Sequence, residues 1–120
     1  MNTSCPLVSV VVPSFNEDPL IVCASLESIR TQTFTDFECI VVDESTNPLL
    51  AEACRSECEK DPRFVYVRPT ERLGLPKSLN LGINKARGQL IARFDSDDIC
   101  MPDRLERQVV FLRSHLEISA

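Results

Sequence analysis

The 120-residue chain carries a formal charge of −5 and is 43% hydrophobic and 26% charged, a balance ordinary for a domain that buries a core. The acidic excess argues against a binder of duplex nucleic acid, which needs a basic face, and the longest apolar run, Val8–Val12 broken by Ser9, is far too short to cross a bilayer. Met1–Pro6 has neither a basic start nor a long apolar stretch, so no secretory signal is expected and the chain is placed in the cytoplasm, or at the cytoplasmic face of a membrane.

Leu7–Val12 is β-branched and almost continuously apolar, as a strand buried on both faces of a parallel sheet requires. Pro13–Asp18 ends it. Pro19 suits the first turn of a helix, and Val22, Leu26 and Ile29 then share one face up to about Thr31. Asp36–Val42 reads as the second strand and closes in Asp43 and Glu44. Pro48 opens a second helix, with Leu50, Cys54 and Cys58 as its buried stripe, and Asp61-Pro62 stops it. Phe64–Val67, flanked by Arg63 and Arg68, reads as a short edge strand. After the loop 69–74, Pro76 opens a third helix whose shared face is Leu79, Ile83 and Ala86, with Gly88 as the glycine that ends it. Gln89–Phe94 is the fourth strand. Pro102 opens the last helix, with Leu105, Val109, Leu112 and Leu116 at helical spacing. Four strand-helix units in series predict a three-layer α/β domain with a mainly parallel, Rossmann-like sheet.

The chemistry concentrates where the fourth strand stops. Asp95, Asp97 and Asp98 are three carboxylates within four residues, and their mutual repulsion is best relieved by a hard divalent cation, Mg²⁺ or Mn²⁺, shared with a phosphate. The plain alternative is a solvated turn whose acids cap the next helix. A calcium loop of the EF-hand type fails. Counting from Asp95, Glu106 is twelfth, but Ile99 and Cys100 stand at the fifth and sixth positions, where an acid and a glycine are needed. Carboxyl ends of parallel strands are where ligands bind in such sheets. Asp43 and Glu44 reach that edge and can accept hydrogen bonds from a ribose hydroxyl or a base N–H, or simply cap the next helix. Pro13–Glu17 arrives at the same edge with the Asn16 side chain. Arg72, Lys77 and Arg93 are the cations expected to face a diphosphate, Lys77 from a helix start. His115, the single histidine, is read as an exposed or capping residue rather than a catalyst. The six cysteines contain no C-x-x-C pair, so Cys54 and Cys58 are read as a packed, reduced pair in preference to a metal or redox site. Neither G-x-G-x-x-G nor the P-loop pattern occurs.

Val10–Glu17, Ser28–Phe34, Ile40–Thr46, Ile91–Asp98 and Met101–Leu105, in that order, together resemble the N-terminal half of glycosyltransferase family 2, inverting enzymes of the GT-A fold. The resemblance covers essentially the whole chain. It implies a nucleotide-diphosphate sugar as donor, with uridine the expected nucleoside, and a glycan or lipid-linked acceptor such as polysaccharide biosynthesis uses. It further implies that Pro13, Ser14, Asn16 and Glu17 line the nucleoside and that Asp43 and Glu44 read the base. Arg72, Lys77, Asn80, Arg93 and Ser96 belong to the donor site on the same ground, and Asp95 and Asp97 form a D-x-D for Mn²⁺ or Mg²⁺, in which Asp97 holds the metal on the diphosphate and Asp95 contacts the ribose or the metal shell. Two departures stand out. The usual second aspartate after the second strand is Glu44 here, and Leu79 stands before Asn80 where many members have arginine, so the phosphate contact falls to Lys77 or Arg72. The resemblance also places the general base and the acceptor site in a C-terminal half. The 120 residues are therefore expected to bind donor and to transfer sugar poorly by themselves, with self-association or peripheral membrane attachment as further expectations.

Two rivals are weighed. A sugar nucleotidyltransferase-like domain would show a glycine-rich, arginine-containing loop after the first strand, and Pro13-Ser14-Phe15-Asn16 is not one. A non-catalytic α/β interaction module with an acidic pocket, of the receiver type, would place a partnering lysine after a later strand.

Overall fold

The computed structural model describes residues 5–119, with side chains through Ser114, so the side chains of His115 and Leu116 lie outside the described residues. Strands and helices alternate throughout: β1 Val8–Ser14, α1 Pro19–Arg30, β2 Phe37–Asp43, α2 Pro48–Cys58, β3 Phe64–Val67, α3 Leu75–Lys85, β4 Leu90–Arg93 and α4 Arg104–Ser119. All pairings are parallel, in the order β3-β2-β1-β4. β3 is thus the edge that its flanking arginines suggest.

Two helices start on the same device. Asp18 accepts the Leu20 amide at 2.8 Å and Asn47 accepts the Leu49 amide at 2.9 Å, each with proline in the first turn, where its missing N–H costs nothing. α1, α2 and α4 cover one face of the sheet. Val10 and Val12 of β1 and Cys39 and Val41 of β2 pack there with Val22, Leu26 and Ile29, with Cys54 and Cys58, and with Leu105 and Val109. Both α2 cysteines are free and buried. Among the described residues no helix is long and apolar enough to cross a membrane.

α3 takes the opposite face, and its orientation corrects the sequence reading. The buried residues are Ser78 and Gly82, while Ile83 is 45% exposed. A Cβ at Gly82 would stand 2.5 Å from Val11 Cγ1 and 3.4 Å from Val42 Cγ2, so the helix rests on the sheet through its smallest side chains. Close backbone approach, not an apolar stripe, sets the face. Gly88 is a second correction. α3 already ends at Lys85 with Ala86 as its extended C-cap, and a Cβ on Gly88 would meet the Ser9 backbone nitrogen at 2.7 Å. The glycine is there for contact with β1, not as a helix stop. Leu112 is 36% exposed rather than buried, because a four-residue β4 gives the 16-residue α4 little sheet to lie on beyond Val109.

At the amino end of the sheet a buried carboxylate ties three segments together. Glu38 accepts the Ser9 hydroxyl at 2.6 Å, the Arg87 amide at 2.7 Å and the Arg87 Nε at 3.1 Å, while Ser9 Oγ accepts the Gly88 amide at 2.8 Å. Burial pushes the Glu38 carboxyl up, but these donors together outweigh it and hold it below its ordinary value. A depressed carboxyl lends stability that is complete above the unfolded-chain pKa and lost as pH falls through the folded one. Glu38→Gln is therefore expected to cost about 1–3 kcal/mol at pH 7, and the gap in melting temperature to the parent chain should narrow as the pH is taken below about 4. A gap independent of pH would mean that the carboxylate charge is not what the turn depends on.

Candidate functional site

β1 runs on after β4 has stopped. Val11 pairs with Arg93, the last residue of β4, whereas β1 continues beside β2 to the pair Ser14–Asp43. Successive residues of a parallel strand address alternate neighbours. The Val11 carbonyl accepts from Phe94 N at 3.2 Å on the β4 side, and the Ser14 carbonyl accepts from Glu44 N at 2.9 Å on the β2 side. Pro13 therefore turns its nitrogen, which has no hydrogen, toward the side β4 has left. That divergence opens a cavity of about 450 Å³ lined by Pro13, Ser14, Phe15, Glu17, Glu44, Arg72, Leu75, Ser78, Arg93, Asp95, Ser96 and Asp97.

The acidic turn hangs in front of this opening because its start is anchored. Phe94 is 1% exposed in the core, and the Arg104 guanidinium lies 4.3 Å over its ring. The chain then leaves the sheet in a turn closed by Asp98 N to Asp95 O at 3.2 Å, and Ser28 Oγ accepts the Cys100 amide at 3.0 Å. Ser96 is buried and donates to Glu17 Oε2 at 3.2 Å, which joins the turn to the β1–α1 loop. The result is an exposed set of carboxylates. One oxygen from each of Asp95, Asp97 and Asp98 can be chosen so that all lie within 4.8 Å of one another. Three hard oxygen donors so close, facing solvent and a polar cavity, suit a divalent cation that keeps waters and phosphate oxygens among its ligands. Arg93 stands 3.3 Å from Asp95 and supplies part of the balancing charge. A larger groove of about 760 Å³ between β4 and α4 is lined by Ile91, Met101, Phe111 and Leu112 among others, and by no carboxylate.

The opposite wall is built on Glu44. Its two oxygens accept the amides of Leu73 and Gly74, the latter at 3.2 Å, and Arg72 Nε lies 3.4 Å away. Gly74 sits at φ +84°, a backbone conformation that glycine adopts without strain. The Arg72 guanidinium in turn stacks 3.6 Å over the ring of Phe15, which is 41% exposed. The Glu44 carboxylate thus holds the loop before α3 and presents an aromatic-cation pair to the cavity.

Of the residues expected at the site, Pro13, Ser14, Glu17, Glu44, Arg72, Arg93, Asp95, Ser96 and Asp97 come together around one opening. Asn16, Asp43, Lys77 and Asn80 are not in its lining. Asp43 is wholly buried: one oxygen accepts the Ser45 amide and hydroxyl at 3.0 and 2.6 Å, and the other accepts the Tyr66 hydroxyl at 2.6 Å. Burial and that bond to Asp43 push the Tyr66 phenol well up from its ordinary value. Asn16 is spent on the β2–α2 loop, and Lys77 and Asn80 are exposed on α3. Sequence reasoning missed Phe15, Leu75 and Ser78. The signal for Ser78 was its spacing of four from Gly82, which places two small residues on one helix face.

The aspartate cluster and the polar cavity lie together at the carboxyl edge of a parallel α/β sheet, the edge at which ligands bind in folds of this class. The chain is a member of glycosyltransferase family 2, whose family model, Glycosyl transferase family 2, matches residues 9–118. It is 39% identical over 114 residues to an uncharacterized glycosyltransferase of Methanocaldococcus jannaschii, covering 94% of this chain and 39% of that protein. Its fold is that of GT-A glycosyltransferases. The mannosyltransferase PcManGT of Pyrobaculum calidifontis, solved in complex with GDP-Man and Mn²⁺, aligns at a TM-score of 0.67 with 33% identity over 79% of this chain and 28% of its own. S. aureus TarS 1–349 in complex with UDP-GlcNAc aligns at 0.72 with 28% identity, over 90% of this chain and 31% of its own. The chain spans about two fifths of the length of the Methanocaldococcus relative.

The wall built on Glu44 makes a local prediction. Glu44→Ala removes the acceptor of two loop amides, so hydrogen exchange at Leu73 and Gly74 is expected to accelerate by about tenfold or more while exchange in β1 and β2 stays as it was. Unchanged exchange at those two amides would show that the loop holds itself.

Proposed function

We propose that the cavity holds the nucleoside diphosphate of a sugar donor, and that the chain is the donor-binding part of an inverting glycosyltransferase acting on a glycan or lipid-linked acceptor. The observation that carries this reading is the carboxylate set of Asp95, Asp97 and Asp98 at the mouth of a polar cavity, where β1 outruns β4. The bound nucleotide sugars named for PcManGT and TarS support it. In this reading Asp95 and Asp97 hold Mn²⁺ or Mg²⁺, which when bound neutralises charge growing on the departing diphosphate. Pro13, Ser14, Glu17 and the Phe15–Arg72 pair frame the nucleoside side. Arg93 and Ser96 flank the diphosphate. Uridine diphosphate is the first nucleotide to test and guanosine diphosphate the second, since the two structural neighbours carry one each. Deprotonation of the acceptor hydroxyl is assigned to polypeptide outside this stretch.

Calorimetric titration of uridine and guanosine diphosphates into the purified chain tests this directly. With Mn²⁺ present, one of the two is expected to bind, and binding should fall at least about tenfold in EDTA and in Asp97→Ala. Nucleotide binding of equal strength with and without metal would overturn the carboxylate assignment, and no binding to either nucleotide by a chain shown to be folded would overturn the donor-site reading of these residues.

A further inference from the structure

Asn16 is the single non-glycine residue with a positive φ among those described, at +51°. Asparagine tolerates that conformation better than most residues, and here it comes with a full set of bonds. Asn16 Oδ1 accepts the amides of Thr46 at 3.0 Å and Asn47 at 3.2 Å, Nδ2 donates to Thr46 Oγ1 at 2.9 Å, and the Asn16 backbone N–H donates to Ser45 Oγ at 2.8 Å. Both lone pairs of the amide oxygen are occupied. The Ser45 hydroxyl in turn donates a hydrogen bond to Asp43 Oδ1, and the other Asp43 oxygen accepts from the Tyr66 hydroxyl. A continuous hydrogen-bonded line therefore runs from the edge strand β3 to the turn after β1.

The neighbours of Asn16 are the two residues of that turn that face the cavity. Phe15 offers its ring to Arg72, and Glu17 accepts from Ser96 in the acidic turn. The left-handed kink between them directs both side chains to the same opening. We infer that Asn16 is a positioning residue: by clamping the β1–α1 turn onto the β2–α2 loop it sets Phe15 and, through Glu17 and Ser96, the carboxylate turn, without touching the ligand. Asp43 and Tyr66 are the buried end of the same clamp. The inference rests on the reading of the cavity as a nucleotide site, and it assigns a supporting role to a residue that family resemblance alone places against the nucleoside.

The test has one arm that needs ligand and one that does not. The chain contains no tryptophan, so Phe15→Trp gives a lone indole at the cavity wall. Adding Asn16→Gly, which accepts the positive φ but loses three side-chain bonds, is expected to lower the indole anisotropy and shift its emission to the red. Asn16→Asp keeps the acceptor for the Thr46 and Asn47 amides and should restore most of the parent signal. Thr46→Val, which removes one partner from the exposed side, should give a smaller shift in the same direction and serves if the glycine variant does not fold. In the second arm, uridine diphosphate with Mn²⁺ is expected to bind Asn16→Gly about tenfold more weakly than the parent, and Asn16→Asp nearly as well. An indole signal untouched by both Asn16→Gly and Thr46→Val overturns the inference whatever the nucleotide does. Equal loss of binding in Asn16→Gly and Asn16→Asp with an unchanged indole signal overturns it in favour of direct contact. A parent chain that binds no nucleotide removes the donor reading alone, since the indole arm still decides the clamp.

Discussion

Everything at the site follows from the unequal lengths of two neighbouring strands. β1 and β4 pair only as far as Val11 and Arg93, and β1 then continues for three residues with β2 as its sole partner. A parallel strand that loses one neighbour must either expose its polar groups or meet something else there. Pro13 removes one donor from the problem, and the turn after Phe94 closes over the gap with carboxylates. The cavity is the space between a strand that continues and one that has turned away.

The charges in this acidic chain divide into two kinds. Those under the surface are engaged: Glu38 with Ser9 and Arg87, Glu57 with Arg30 and Lys60, Asp61 with Arg63, Asp43 with Tyr66 and Ser45. Burying any of them without its partners would cost several kcal/mol, so these acids act as ties between segments. Asp95 and Asp97 are exposed, grouped and held in place from behind by Phe94, Ser25 and Ser28. Repulsion within that group is tolerated at a solvent-facing edge, and a cation would turn it into attraction. The buried acids tie segments of the fold together, whereas this exposed group has only Arg93, beside Asp95, as an ion-pair partner among the described residues.

Rigidity is distributed to match. The loops that form the opening have little secondary structure, yet each is bonded to another: Glu44 to the loop before α3, Asn16 to the loop before α2, Glu17 to the acidic turn. These cross-ties hold side chains from separate strand ends around one volume.

The alternation of strands and helices, the edge position of β3, the starts of α1 and α2 and the acidic turn were all legible in the sequence, because each depends on local signals: β-branched runs, Asx-Pro caps and three acids within four residues. What sequence could not supply was the set of partners. Asp43 and Glu44 are adjacent acids with near-equal chemistry on paper, but the pleat turns one into the core and the other to the rim, and only the sheet decides which. Asn16 and Phe15 differ in the same way, by a φ of +51° that no periodicity announces. The face of α3 was misjudged because a buried face is usually apolar, whereas Ser78 and Gly82 are buried for being small, a fact that exists only once Val11 and Val42 lie beneath them. Local patterns determined which elements form and where acid collects; long-range packing determined which of those side chains face the opening and which hold it in shape.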